Sequence, residues 1–80
     1  MQRQITLYYT DGCHLCDDAI VLLKNLNLTY QKVDIVEQQR LVELYGTSIP
    51  VVEIVSGVTS GATLNWPFTL QQLQQFIEEN

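Results

Sequence analysis

Residues 5–16 read Ile-Thr-Leu-Tyr-Tyr-Thr-Asp-Gly-Cys-His-Leu-Cys, and this stretch decides the fold. The run over residues 5–9 is rich in β-branched and aromatic side chains and predicts a strand. Thr10, Asp11 and Gly12 have turn chemistry. Cys13 and Cys16, the only two cysteines, follow where a helix begins. A C-x-x-C pair beside a βαβ pattern indicates redox chemistry rather than a structural disulfide.

The residues after the cysteines predict a helix followed by a second strand. Apolar residues recur at helical spacing through Leu26, and Asp17 and Asp18 suit the first turn of a helix. Residues 29–35 predict the second strand. A strand–helix–strand order implies a right-handed crossover and a parallel pair of strands.

The second half of the chain predicts a short helix, two strands and a last helix. The short helix covers residues 37–45, with Leu41, Leu44 and Tyr45 as its apolar edge and Gly46 at C′. Residues 51–55 predict a strand, Ser56-Gly57 a hairpin turn, and residues 58–64 the return strand. The last helix begins near Thr69, which forms a capping box with Gln72. Its predicted buried stripe is Leu70, Leu73, Phe76 and Ile77.

The element order β-α-β-α-β-β-α predicts one α/β domain over residues 1–80. We expect a four-stranded mixed sheet, made of a parallel pair and an antiparallel hairpin, with three flanking helices on both faces.

Composition excludes several classes of function. The net charge is −5, and the positive side chains are Arg3, Lys24, Lys32 and Arg40. Without a basic stripe, nucleic acid and anionic membranes are not expected partners. Apolar stretches are too short to cross a bilayer, and the first residues lack the pattern of a signal peptide. We therefore expect a cytoplasmic monomer, in which a cysteine pair is more often catalytic or metal-bound than structural.

The position of the C-x-x-C pair makes its two sulfurs unequal. The first sulfur lies near unpaired N–H groups and the positive end of the helix dipole, which favours thiolate. Cys13 is therefore the predicted nucleophile, and Cys16, more buried, the predicted resolving thiol. His14 can stabilise a thiolate as a cation or donor, whereas Asp11 opposes an anion. Both residues are predicted to modulate the reactivity of Cys13. The alternative for His14 is that it is merely an exposed residue of the turn.

The sequence resembles glutaredoxin-like members of the thioredoxin-fold superfamily, and small bacterial ones in particular. Two motifs carry the resemblance: Cys13-His14-Leu15-Cys16 after a strand, and Ser48-Ile49-Pro50 before the next strand. The resemblance implies a thioredoxin-like, glutaredoxin-type fold and a cis Ile49–Pro50 bond. It also implies that Ser48, Ile49 and Pro50 bind substrate, with the Ile49 backbone as a strand-like edge. A trans Pro50 that merely ends the loop is the alternative.

Some features depart from the usual glutaredoxin pattern. His14 and Leu15 replace the proline and tyrosine between the cysteines, and no Gly-Gly pair precedes the last helix. Trp66-Pro67-Phe68 lies in that region, either as a lid on the core or as a substrate contact; we favour the lid. An acidic neighbourhood does not favour an anionic tripeptide, so glutathione stays an open candidate co-substrate. We expect no cofactor and no metal ligand.

Three functions remain compatible with the sequence. The first is a dithiol–disulfide oxidoreductase or electron carrier acting on protein or low-molecular-weight disulfides, regenerated by a reductase or a thiol reductant. The second is a non-catalytic interaction module that keeps the fold. The third is a dimer that binds a metal or an iron–sulfur cluster through the two thiols and His14, although zinc usually takes four protein ligands.

Overall fold

The computed structural model describes residues 3–56 and 61–80, and its order of elements is the predicted one. The strands and helices are β1 (Arg3–Tyr9), α1 (His14–Asn25), β2 (Gln31–Asp34), α2 (Gln39–Tyr45), β3 (Val51–Ser56), β4 (Ala62–Asn65) and α3 (Leu70–Glu79). A single 3₁₀ turn, Ile35–Glu37, joins β2 to α2.

The strands form one mixed sheet in the order β2-β1-β3-β4. β1 runs parallel to β2, with Tyr9 opposite Asp34. β3 runs antiparallel to β1 and to β4, with Val51 opposite both Tyr8 and Asn65. The predicted parallel pair and antiparallel hairpin are confirmed. The end of β1 and the start of β3 therefore lie at the same edge of the sheet.

One face of the sheet carries the main core. Alternate residues of β1 and β3 point to this face because side chains alternate along a strand. They pack with buried residues of α1 and α3 in one cluster: Ile5, Leu7, Ala19, Leu23, Val52, Ile54, Phe68, Leu73 and Ile77. The Arg3 guanidinium donates to the Ile77 carbonyl, so the end of α3 is tied to the start of β1.

The opposite face of the sheet is covered by α2. Tyr8 of β1 stacks on Tyr45, the last residue of α2, with ring centroids 4.7 Å apart. Leu41 is the buried residue of this helix. Helices therefore lie on both faces, as predicted.

The junction between β2 and α2 differs from the prediction. Residue 35 is not in the strand and residue 37 is not in the helix, because both belong to the 3₁₀ turn. The carboxylate of Asp34 caps this turn by accepting a hydrogen bond of 3.1 Å from the Val36 N–H. A carboxylate two residues before a free N–H competes with strand and helix hydrogen bonding, and this local bond ends β2.

Three predictions about helix residues were wrong. Leu44 is 58% exposed, because a helix of two turns buries mainly the i, i+4 pair Leu41 and Tyr45. Leu70, the first residue of α3, is 37% exposed. Gly46 caps α2 with a φ of −52°, in the right-handed region, and so is not the left-handed C′ residue that we expected.

The hairpin between β3 and β4 and the start of α3 were both predicted from the sequence. The predicted hairpin turn at Gly57 and the first residues of the return strand lie outside the described residues; the described part of that strand ends at Asn65. The capping box of α3 is confirmed: Thr69 Oγ1 accepts from the Gln72 N–H at 3.1 Å, and Gln72 Oε1 accepts from the Thr69 N–H at 2.9 Å. Over residues 3–56 and 61–80, no helix is long and apolar enough to cross a membrane.

Candidate functional site

Cys13 is the N-cap residue of α1, at the junction that the sequence predicts. Its backbone is extended, and its Sγ accepts a hydrogen bond of 3.1 Å from the Cys16 N–H. The Cys13 carbonyl accepts from the Asp17 N–H at 3.2 Å, which starts the helix. Gly12 turns the chain into this position with a φ of 79°, in the region where glycine is least strained. The N–H of Cys16, one of the free N–H groups in the first turn of α1, therefore points at the Cys13 sulfur.

Cys16 lies in the first turn of α1 and is almost inaccessible. Its side chain is 1% exposed, whereas Cys13 is half-buried, and both are free thiols. Burial raises the pKa of Cys16 from 9.0 to about 12, helped by the hydrogen bond to Cys13 and by the charges of Cys13 and Asp17. A hydrogen bond from the Thr10 backbone opposes this rise in pKa. The structure thus provides one accessible sulfur and one buried, protonated sulfur.

The predicted modulators lie at the surface, close to Cys13 in the chain. Asp11 and His14 are exposed, on either side of Gly12 and Cys13. Leu15, also between the cysteines, is 46% exposed, which is high for a large apolar residue. The effect of Asp11 and His14 on Cys13 stays a prediction.

The loop 48–50 reaches the same edge of the sheet as the cysteines, since it directly precedes β3 and the cysteines follow β1. The Ile49–Pro50 bond is cis, as the resemblance implied, and Pro50 is fully buried. Ser48 and Ile49 are half-buried.

The backbone of Ile49 is less available than expected. The Tyr45 carbonyl accepts two hydrogen bonds, from the Ser48 N–H at 2.8 Å and from the Ile49 N–H at 3.1 Å. A ligand docking against Ile49 therefore has to bond to its carbonyl.

Trp66 is in direct contact with this loop. Its backbone N–H donates to the Pro50 carbonyl at 3.1 Å, and its ring meets Phe68 edge-on with centroids 5.0 Å apart. Trp66 is half-buried against the core, and Phe68 is part of the core. The packing interpretation of this segment agrees with the structure. The Trp66–Pro67 bond is also cis, which was not predicted from the sequence.

Sequence reasoning missed a polar contact behind the loop. Tyr8 Oη donates to Glu53 Oε1 at 2.8 Å, while the Tyr8 ring stacks on Tyr45 at an interplanar angle of 25°. Burial, followed by the hydrogen bond and the charge of Glu53, raises the pKa of Tyr8 to about 12. The signal was present in the alternation of β1 and β3, which places residues 8 and 53 on the face opposite the main core.

Side chains that could bind a metal ion do not cluster in residues 3–56 and 61–80. There, no group of three or more His, Cys, Asp and Glu residues is arranged to hold a metal ion.

A four-stranded mixed sheet with helices on both faces, and a dithiol at the start of the first helix, define a thioredoxin-fold protein. More narrowly, the chain belongs to the glutaredoxin-like domain family (DUF836), whose model matches residues 4–78. The predicted resemblance is confirmed.

Solved structures agree with this assignment. The crystal structure of protein XcR50 from X. campestris is 31% identical, with 95% of this chain and 97% of that chain covered and a TM-score of 0.83. Protein Ne2328 from Nitrosomonas europaea is 21% identical, with 95% and 92% covered and a TM-score of 0.74. The thioredoxin Deadhead from Drosophila melanogaster shares the fold at 16% identity, with 98% and 80% covered and a TM-score of 0.74. No curated protein matches the sequence significantly.

Proposed function

We propose that this protein is a thiol–disulfide oxidoreductase or electron carrier that uses the Cys13/Cys16 dithiol. The observation that carries the proposal is the inequality of the two sulfurs. Cys13 is accessible and accepts a helix N–H at 3.1 Å, whereas Cys16 is 1% exposed with a thiol pKa of about 12. One sulfur is placed to attack from outside, and the other is protected until it is needed.

The first step is attack by the Cys13 thiolate on one sulfur of a substrate disulfide. The substrate S–S bond breaks, a mixed disulfide forms on Cys13, and the departing sulfur takes up a proton. The Cys16 thiol then loses its proton and attacks Cys13 Sγ. The Cys13–Cys16 disulfide forms, the second substrate sulfur leaves as a thiol, and two electrons have passed from the dithiol to the substrate.

The second step is eased by the first. A thiolate at Cys13 raises the pKa of Cys16 through its charge and its hydrogen bond. In the mixed disulfide that charge is gone, so the Cys16 pKa falls at the stage at which Cys16 has to attack. Burial, the largest cause of the raised pKa, remains and keeps Cys16 from reacting with external reagents.

Several partners fit this chemistry. The substrate is a disulfide-containing protein or the disulfide of a small thiol such as glutathione, received beside Ser48, Ile49 and Pro50. A reductase or thiol reductant regenerates the dithiol. The cytoplasm suits such a protein because its reducing conditions keep both cysteines as thiols.

Two measurements test the proposal. The protein is equilibrated in dithiothreitol buffers and glutathione buffers of graded potential, and its oxidised fraction is followed by thiol alkylation. We expect a reversible two-electron couple between about −300 and −120 mV. Absence of a reversible couple in that range would reject the proposal.

Trapping identifies the substrate. Cys16→Ser should retain the mixed disulfide on Cys13 in cells, where mass spectrometry identifies the partner; Cys13→Ser is the matched control. If Cys13→Ser left every cellular function intact, the interaction module would be the better interpretation. A purified protein with metal and visible absorbance would favour the cluster-binding dimer.

A further inference from the structure

Two tyrosines and one carboxylate join three elements behind the loop 48–50. The rings of Tyr8 and Tyr45 stack with centroids 4.7 Å apart, so the end of β1 is in contact with the end of α2. Tyr8 Oη donates to Glu53 Oε1 of β3 at 2.8 Å, which holds the Tyr8 ring in place. We refer to Tyr8, Tyr45 and Glu53 as the tyrosine clasp.

The tyrosine clasp is connected to the loop through one peptide group. Tyr45 ends α2, and its carbonyl accepts from the N–H groups of both Ser48 and Ile49, at 2.8 and 3.1 Å. The ring that stacks on Tyr8 and the carbonyl that holds the loop belong to the same residue. The stack therefore restrains the position of the residue whose carbonyl holds the loop.

The helix that carries Tyr45 has little other support. α2 is seven residues long, and no side chain caps its N-terminus at Gln38. Leu41 is its buried residue, while Leu44 and Val42 are exposed. A helix of this length is not stable on its own and depends on tertiary contacts. The Tyr8–Tyr45 stack is thus a principal contact that fixes where α2 ends and where the loop begins.

We propose that Tyr8 and Tyr45 are positioning residues, which hold the loop 48–50 against β1 at the level of the dithiol and so determine the affinity for extended peptide disulfides. The inference rests on the proposed function. Attack by Cys13 needs only an accessible disulfide, whereas binding of a peptide also needs the loop and the Ile49 carbonyl in place. The two tyrosines therefore affect binding of a peptide and leave the attack itself unchanged.

Two probes with the same leaving group separate these effects. One is a ten-residue peptide whose central cysteine carries thionitrobenzoate as a mixed disulfide. The other is the thionitrobenzoate mixed disulfide of mercaptoethanol, which is too small to reach the loop. Release of thionitrobenzoate from each probe is followed by stopped-flow absorbance over a range of probe concentrations, with the reduced protein.

The main variant is Tyr45→Leu, which removes the stack and keeps an apolar side chain. We expect the half-saturating concentration of the peptide probe to rise by about tenfold, with its limiting rate unchanged. The mercaptoethanol probe should react within about twofold of the wild-type rate. Tyr45→Phe keeps the ring and should restore peptide binding.

Tyr30→Leu is the matched control. Tyr30 packs against the core and lines a cavity with Arg3 and Gln4, at the edge of the sheet away from the cysteines. We expect this variant to lower the melting temperature without changing the half-saturating peptide concentration. Tyr8→Phe removes the hydroxyl group that bonds to Glu53 and keeps the ring. We expect it to raise the half-saturating concentration of the peptide probe by less than Tyr45→Leu does. This variant tests the proposal even if Tyr45→Leu does not fold.

The outcomes are distinct. Equal effects of Tyr45→Leu on both probes, or none on either, would overturn the inference while leaving the oxidoreductase proposal intact. If the wild-type protein reacted with neither probe, the proposed function would be rejected and the inference with it.

Discussion

Burial of Cys16 has a direct consequence for its reactivity toward alkylating reagents. The pKa of its thiol is raised from 9.0 to about 12. Only the thiolate reacts with iodoacetamide. This higher pKa lowers the thiolate fraction at neutral pH by about a factor of 10³ relative to an ordinary cysteine. We therefore expect Cys16 to resist alkylation in the reduced, folded protein.

The assay is alkylation of the reduced protein from about pH 7 to pH 11, with each cysteine quantified separately by peptide mass spectrometry. The rate at Cys16 should rise about tenfold per pH unit through the whole range. Restricted access slows the reaction at every pH, so the shape of the profile, and not the rate alone, reports the pKa. In guanidinium the profile should level off near the ordinary cysteine value, which provides the control.

Cys13→Ser separates the causes of the shift. The variant removes the charge and the thiol hydrogen bond of Cys13, so the Cys16 pKa should fall. It should stay above the ordinary value because burial is the largest cause. A Cys16 profile that levels off near pH 9.0 in the folded wild-type protein would refute the reasoning.

Three further predictions concern stability and charge. Because Cys16 and Tyr8 have raised pKa values, folding favours their neutral forms; this contribution to stability is complete below about pH 9 and is lost toward pH 12. Urea unfolding at graded pH measures the loss, and constant stability up to the highest pH would contradict it. Leu23→Ala should lower the free energy of unfolding by about 2–5 kcal/mol because Leu23 is fully buried. Val21→Ala, on the exposed side of α1, should change it by about 0.5 kcal/mol or less. Denaturant titration measures both values. Asp11→Asn should raise the rate with anionic glutathione disulfide relative to cationic cystamine, and the difference should shrink in molar salt; an unchanged ratio of the two rates would show that Asp11 does not select substrates by charge.

Features determined by neighbouring residues were predictable from the sequence. Cys13 lies at a strand–helix junction because turn residues separate a β-branched run from a helical pattern. The capping box of Thr69 and Gln72 was predictable because both hydrogen bonds span three residues. The core stripe of α1 followed from helical periodicity in the same way.

The ends of helices and strands, and the exposed fraction of their side chains, were harder to predict. Periodicity shows which side of a helix is apolar, but the width of the buried stripe depends on what covers it. Leu44 is exposed because α2 buries mainly Leu41 and stacks Tyr45 on Tyr8 of the sheet. The Asp34 cap replaced the predicted end of β2 with a 3₁₀ turn, since a single side-chain bond outweighed a weak strand pattern.

The sequence alone determined the order of the elements, the position of the dithiol and the presence of a proline loop before β3. The tertiary structure decided which groups meet at that loop. Tyr8 is far from Tyr45 and Glu53 in the chain, and the Ile49 N–H is bonded to the Tyr45 carbonyl rather than free. Such contacts depend on how strands and helices pack in three dimensions, and local pattern restricts a residue to one face without naming its partner.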